Sequence, residues 1–309
     1  MKSVWQWYVI AGAGLGFVFS VLLIWFLFFN QTEEVVVKEK EDLYDTEVLA
    51  VEDDTETEYP IVLGQSVEGR DIIHYSFGTG STHVLLVGGI HGGYEWNSIL
   101  LAYEMIDYIK DNPDFVPSEL TVDIIPDLNP DGTYLATGLE GRFNSEDVTD
   151  YSMHETGIGR FNANGVDLNR NFDCNWEPES TWRGQIVSAG TEPFSEPESK
   201  ILRDIISETE PIAAAFWHSR ANAVFASECH DGPLPLTLDI MNSYATAANY
   251  MAIPTFDAYP ITGDVEGWLA SLNIAAITVE LEGRLTSEWD RNLAGTQAML
   301  VTIAEKIKD

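Results

Sequence analysis

From residue 60 onward, short and largely apolar runs alternate with segments whose apolar residues recur at helical spacing. No other feature restricts the fold as much. Val84–Gly89 (VLLVGG) is an apolar run closed by glycines, Asn97–Lys110 (NSILLAYEMIDYIK) carries the helical period, and Thr121–Pro126 (TVDIIP) returns to strand. Ile212–Trp217 (IAAAFW), Ala223–Ser227 and Ala275–Leu281 (AAITVEL) read as further strands, and Ser287–Lys306 as a closing helix. At Ser195–Glu198 (SEPE) the serine is expected to cap a helix running to about Glu208, with proline in its first turn and Glu198 completing a capping box. A strand that is apolar throughout has no face for water, so both faces of its sheet must be covered. The expected architecture is α/β: a single catalytic-sized domain over residues 60–309, with a mixed, largely parallel twisted sheet flanked by helices on both faces.

Two segments precede this domain. Tyr8–Phe29 is an uncharged run of twenty-two residues, long enough to cross a hydrocarbon core of about 30 Å as a helix. Lys2 before it and Glu33 and Glu34 after it orient the N-terminus to the cytoplasm. The run is longer than the ~7–15 apolar residues of a signal peptide, and it ends in Phe28, Phe29 and Asn30. Residues 1–30 are therefore read as one transmembrane helix acting as an uncleaved anchor, with a cleaved signal as the alternative. Residues 31–59 hold twelve acidic residues against two lysines, a net charge of −10, without apolar periodicity. Such a segment repels itself and is expected to be a flexible tether. The remainder would then lie outside the cytoplasm on a single-pass membrane protein.

With 50 Asp and Glu against 16 Lys and Arg, the chain carries a formal charge of −34. That balance argues against binding nucleic-acid phosphates or anionic lipid heads through a basic patch. Two cysteines are too few for a disulfide-built scaffold or a four-cysteine zinc module.

In an open parallel sheet the ligand lies outside the carboxyl ends of the strands, and four polar side chains fall in that region. His91 stands two residues beyond the run 84–89, and Glu95 follows four residues later as the next helix begins. His218 comes directly after the run 212–217, and Glu280 lies near the end of the run 275–281, where an unpaired charge is costly. Two imidazoles and a carboxylate suit one zinc ion with an open fourth position for water. Glu280, on a different strand, suits the base that takes the water's proton. Taken singly, each has a plainer reading: a histidine at a strand end is usually hydrogen-bonded structure, and Glu280 could be a buried partner of Arg284. His74, His83, His154 and His230 have no comparable setting and are left as structural or exposed.

GQSVEGRDI (64–72), IHGGYEW (90–96), PDLNPDG (126–132), GVDLNRNF (165–172), PFSEPES (193–199), FWHS (216–219) and ITVEL (277–281) follow one another in this chain. Their content and order resemble the zinc carboxypeptidase family typified by carboxypeptidase A, over about residues 60–309. The resemblance implies a carboxypeptidase-like fold, one bound Zn2+ and hydrolysis of a C-terminal peptide bond. His91, Glu95 and His218 match the family's zinc ligands and Glu280 its general base. Asn169 and Arg170 match the pair that holds the free terminal carboxylate, and Arg160 resembles the arginine that steadies the oxyanion. Tyr259 resembles the mobile tyrosine that caps the substrate, and Glu266, with Asp264 close by, falls at the base of the specificity pocket. A carboxylate there would favour a C-terminal Lys, Arg or diaminopimelate residue. One departure stands out: three residues separate His91 from Glu95, where the family usually has two, and Gly92–Gly93 offers a turn to absorb the extra one.

Cys174, directly after NRNF, and Cys229, after the run 223–227, fall on the active-site side; both a disulfide and two buried thiols remain open. The expected activity is that of a membrane-anchored zinc metallocarboxypeptidase acting on peptides. The alternatives are a murein peptide amidase cutting next to diaminopimelate, or a catalytically silent zinc-site protein that binds peptide or cell-wall material. A silent binder has no need of Glu280, which weighs against it.

Overall fold

The computed structural model describes residues 60–256 and 260–308. The expected anchor (1–30), the expected tether (31–59) and Tyr259 lie outside the described residues. No helix among the described residues is long and apolar enough to cross a membrane.

The strands are β1 (Ile61–Gln65), β2 (Asp71–Phe77), β3 (Thr82–Val87), β4 (Leu120–Ile125), β5 (Glu179–Trp182), β6 (Gln185–Ser188), β7 (Ala213–Ser219), β8 (Ala223–Ala226), β9 (Met251–Ile253) and β10 (Ala275–Leu281). The α-helices are α1 (Trp96–Asp111), α2 (Pro130–Thr137), α3 (Met153–Thr156), α4 (Pro197–Thr209), α5 (Pro235–Ala248), α6 (Val265–Ser271) and α7 (Trp289–Lys306). Eight strands form one sheet in the order β1-β2-β4-β3-β7-β10-β8-β9, and β5 and β6 form a separate hairpin. The sheet is mixed, as expected. Its centre, β4-β3-β7-β10, is parallel, whereas β2 runs antiparallel to β4, β1 to β2, and β8 to β10.

Alternate residues of the central strands feed two cores. Val84 and Leu86 of β3, with Ala213, Ala215 and Trp217 of β7, pack against α1, α5 and α7. Leu85 and Val87, with Ala214 and Phe216, pack against α4 and α6. Both faces are therefore covered, which is why these strands read as largely apolar runs. By the same alternation His218 shares a face with Phe216, and Glu280 shares it with Ala276; the parallel register sets Glu280 beside His218.

Two local expectations are corrected. β7 continues to Ser219 because its pairing with β10 runs on to Leu281, so His218 lies on the strand rather than after it. Ser195 does not cap α4: the N-cap residue is Glu196, and the Ser195 hydroxyl donates to Glu196 Oε1. The anchoring acceptor is instead Asn171 Oδ1, which takes the Glu196 N–H and the Ser199 hydroxyl. Glu198 completes no capping box but turns to accept from the Val67 N–H and from Asn162. A tertiary partner has displaced the local cap.

Candidate active site

His91, Glu95, His218 and Glu280 meet where β3, β7 and β10, neighbours in the sheet, reach their carboxyl ends. The extra residue between His91 and Glu95 is taken up by a 3-10 turn, Gly92–Glu95, that precedes α1. Gly92 adopts φ +46, and a Cβ there would stand 2.7 Å from the Gly159 carbonyl and 2.9 Å from that of Asn129. Only glycine meets both demands, and the turn delivers Glu95 to the histidines.

His91 Nδ1 and His218 Nδ1 lie 3.2 Å apart, and Glu95 Oε2 is 3.1 Å from each. Four ligands placed tetrahedrally about 2.0 Å from zinc stand about 3.3 Å apart, so this triangle has the size of one face of that tetrahedron. All three side chains are buried. Burial alone would lower the pKa of His218, but the carboxylates of Glu266 and Glu95 push it up to about 10. Burial would raise Glu95, yet the two facing imidazoles hold it well below the usual carboxylate range. A site whose field draws a proton so strongly onto a buried ring draws a metal cation for the same reason. The donor set and its spacing fit zinc.

The outer nitrogens of both rings face carboxylates. His91 Nε2 is 3.4 Å from Asp167 Oδ1, and His218 Nε2 is 3.5 Å from Glu266 Oε1. Such partners fix ring orientation and strengthen the ligand. Asp167 also accepts from Arg160 Nη2 at 2.8 Å and Nε at 3.1 Å; Arg160 Nη1 lies 3.9 Å from Glu95 Oε1. Burial would raise Asp167, but Arg160 and His91 hold it far below the ordinary range. Asp167 stands two residues before Asn169 of the NRNF stretch, yet nothing in the sequence marks it out, because an aspartate before a short helical turn reads as an ordinary cap.

Glu280 forms no ion pair with Arg284, and its Oε2 has no hydrogen-bond partner among the described residues. Burial, followed by the charge of Glu95, pushes it up to about 7. Asn169 Oδ1 accepts from the Val265 N–H at 2.9 Å, which couples the loop 168–170 to α6. Arg170 is buried and donates from Nε to Ser180 Oγ at 3.1 Å. Glu266 accepts from Thr278 Oγ1 at 2.9 Å besides facing His218, and Asp264 accepts from the Gly267 N–H as the N-cap of α6. These residues line one cleft of about 660 Å³. Cys174 and Cys229, joined as a disulfide, line it too.

Residues 48–286 match the zinc carboxypeptidase family. The chain belongs to that family. Among curated relatives it is 28% identical over 256 residues to a carboxypeptidase B of Helicoverpa zea, covering 73% of this chain and 58% of that protein. It is 31% identical over 131 residues to murein peptide amidase A of Escherichia coli K12, covering 39% of this chain and 50% of that one. The chain thus spans roughly half the length of these relatives. Among solved structures, the carboxypeptidase A of Helicoverpa armigera aligns with a TM-score of 0.65 at 20% identity, over 82% of this chain and 70% of that one. The murein-tripeptide amidase of Escherichia coli O157 aligns with a TM-score of 0.59 at 22% identity, over 79% and 91%. At such identities the likeness is one of fold. The carboxypeptidase-like architecture and a zinc site at His91, Glu95 and His218 agree with membership of the zinc carboxypeptidase family.

Proposed function

We propose that this chain is a zinc-dependent peptidase that hydrolyses the C-terminal peptide bond of peptides outside the cytoplasm. One observation carries the reading. Arg170, buried and with no carboxylate partner among the described residues, opens onto the same cleft as the metal triad and Glu280. A guanidinium kept free in an acidic protein suits a carboxylate delivered by substrate. With Asn169, Arg170 would hold the terminal carboxylate; the part expected of Tyr259 rests on the family resemblance alone. When bound, zinc supplies Lewis acidity that polarises the scissile carbonyl and lowers the pKa of a water. Glu280 takes a proton as that water adds to the carbonyl carbon, then passes it to the amine nitrogen as the C–N bond breaks. Its buried place beside His218, with Oε2 free of any hydrogen-bond partner among the described residues, leaves it open to both transfers. Arg160, oriented by Asp167, faces Glu95 at the cleft wall and would steady the oxyanion. Glu266 is engaged by His218 and Thr278, which favours a role in orienting His218 over recognition of a basic side chain.

The test is Glu280→Gln in the zinc-loaded protein. Zinc content should remain while kcat on blocked dipeptides falls about 10²–10⁴-fold; near-parental turnover would refute the assignment. A second reading, a murein peptide amidase, is favoured by the similarity to murein peptide amidase A, and hydrolysis of murein tripeptide alone in the same panel would establish it. The uncharged run 8–29 supports a membrane anchor, and the disulfide suits an oxidising compartment. Recovery of the full-length chain in the membrane fraction, released only by detergent, is expected.

A further inference from the structure

The chain contains nine arginines among fifty carboxylates, so a guanidinium without a carboxylate partner needs a reason. Arg70, Arg142, Arg203 and Arg291, away from the cleft, are each ion-paired. Inside the cleft, Arg160 is paired with Asp167. Arg170, Arg220 and Arg284 line the cleft and form no ion pair among the described residues. Arg170 has its role above. The other two stand elsewhere: Arg220 follows His218 and Ser219 at the end of β7, and Arg284 lies four residues beyond Glu280.

Arg284 is held in place by neutral oxygens. Its Nη2 donates to the Tyr94 hydroxyl at 2.6 Å and to the Ser219 carbonyl at 3.3 Å, and Nη1 reaches the His154 carbonyl at 3.4 Å. Its guanidinium lies 4.1 Å over the Tyr94 ring, and its buried Nε has no partner among the described residues. Arg220 is exposed. The neighbouring Arg183 spends its donors on the carbonyls of His154 and Glu155, so it too brings charge without an anion. Burial, then the charges of Arg284 and Arg220, press His154 down to about 4, so the ring stays neutral among these cations. Arg284 bonds Tyr94, His154 and the carbonyl of Ser219, the residue before Arg220, whereas Arg170 bonds Asn169 and Ser180, so the two arginines are held by different residues of the one cleft. Of the carboxylates that line the cleft, Glu95 belongs to the metal triad, Glu266 faces His218 and Asp264 caps α6, and neither Glu228 nor Glu280 forms an ion pair with Arg220 or Arg284 among the described residues.

We propose that Arg220 and Arg284 form a second carboxylate subsite, which takes an acidic group carried by the residue on the N-terminal side of the scissile bond. This rests on the peptidase reading, with Arg170 receiving the terminal carboxylate. The acidic group is either the side chain of an α-linked Glu or Asp, or the free α-carboxylate of a γ-linked glutamate; both present the same anion to a guanidinium fork.

The experiment measures binding of fluorescent tripeptides to the zinc-loaded, full-length Glu280→Gln protein, with Ala-Glu-Ala, Ala-Gln-Ala and Ala-γGlu-Ala as the three arms. At least one acidic arm is expected to bind about tenfold tighter than the Gln arm, in line with a hydrogen bond to a charged group. Arg220→Gln should abolish that preference, and Arg142→Gln, at a paired surface arginine, should leave it intact. The arm that shows the preference identifies the linkage. Equal binding of all arms, or a preference that survives Arg220→Gln, would overturn the subsite while leaving the peptidase standing. Absence of peptide binding by a zinc-replete protein would overturn both. Hydrolysis of none of the three by the parent enzyme would overturn the peptidase reading, and with it the placement of the subsite beside a scissile bond, whatever the binding preference.

Discussion

The carboxylate of Glu266 has two neighbours, His218 Nε2 at 3.5 Å and Thr278 Oγ1 at 2.9 Å. Thr278 and His218 sit on adjacent strands, β10 and β7, so Glu266 bridges from α6 to the sheet beneath the metal triad. Removing its charge should loosen the ring it orients. Glu266→Gln is expected to weaken zinc binding about 10–100-fold in a chelator competition. A changed ratio of basic to apolar C-terminal substrates, with zinc affinity intact, would return Glu266 to side-chain recognition. Asp127 offers a second test. It is buried, accepts from the Asn129 N–H at 3.1 Å, and burial, followed by the nearby Asp131, pushes it up to about 7. A carboxyl raised in the folded state keeps its proton there while the unfolded chain has already lost it. Folding stability from this group is therefore full at about pH 4 and is lost as pH rises toward 7. Asp127→Asn retains an acceptor without the charge. Its melting temperature relative to the parent should rise between pH 4.5 and pH 8, by an equivalent of at most about 4 kcal/mol.

Helices α5 and α7 pack closely where Gly295 faces Tyr244: a methyl group at Gly295 would stand 2.4 Å from Tyr244 Cε1. Tyr244 cannot step aside, because its hydroxyl donates to Asn292 Oδ1 at 2.8 Å and accepts from Trp217 Nε1 at 3.1 Å. Helix propensity would reward Gly→Ala by about 1 kcal/mol at an open site, but overpacking costs about 1–3 kcal/mol. The clash is with a fully buried, doubly bonded ring, so sterics should win. Gly295→Ala is expected to lower unfolding stability by about 1–3 kcal/mol in a urea titration; a stabilised variant would contradict the close packing. At this same scale, the long central elements were legible in the sequence and the short ones were not. β3, β4, β7 and β10 announce themselves as largely apolar runs, interrupted by Asp123 in β4 and Glu280 in β10. The β5–β6 hairpin does not, because its eight residues are mostly exposed or half-buried and only Val187 is buried. Edge strand β9 spans only Met251–Ile253 and owes its existence to pairing with β8.

Across the whole molecule, the bond between Cys174 and Cys229 closes a loop of 55 residues and joins the segment after NRNF to the segment after β8. Loop-closure entropy gives such a link at most about 4 kcal/mol. The double variant Cys174→Ser, Cys229→Ser should melt at a lower temperature than the oxidised parent, and the parent with reductant should approach it; identical melting would show that the closure adds nothing. The sequence by itself determined the layered α/β plan, because hydrophobic periodicity is a local signal that any covered sheet must carry. It also marked His91, Glu95, His218 and Glu280, because chemistry of that kind needs those residue types at strand ends. Tertiary structure decided the pairings. Glu95 meets His218 across 123 positions of chain, Asp167 faces both His91 and Arg160, and Glu266 is turned onto His218. Which arginines keep a carboxylate and which are left open to the cleft was settled in the same way. An ion pair depends on separations of a few ångströms between groups far apart in the chain, and no spacing along the sequence encodes that distance.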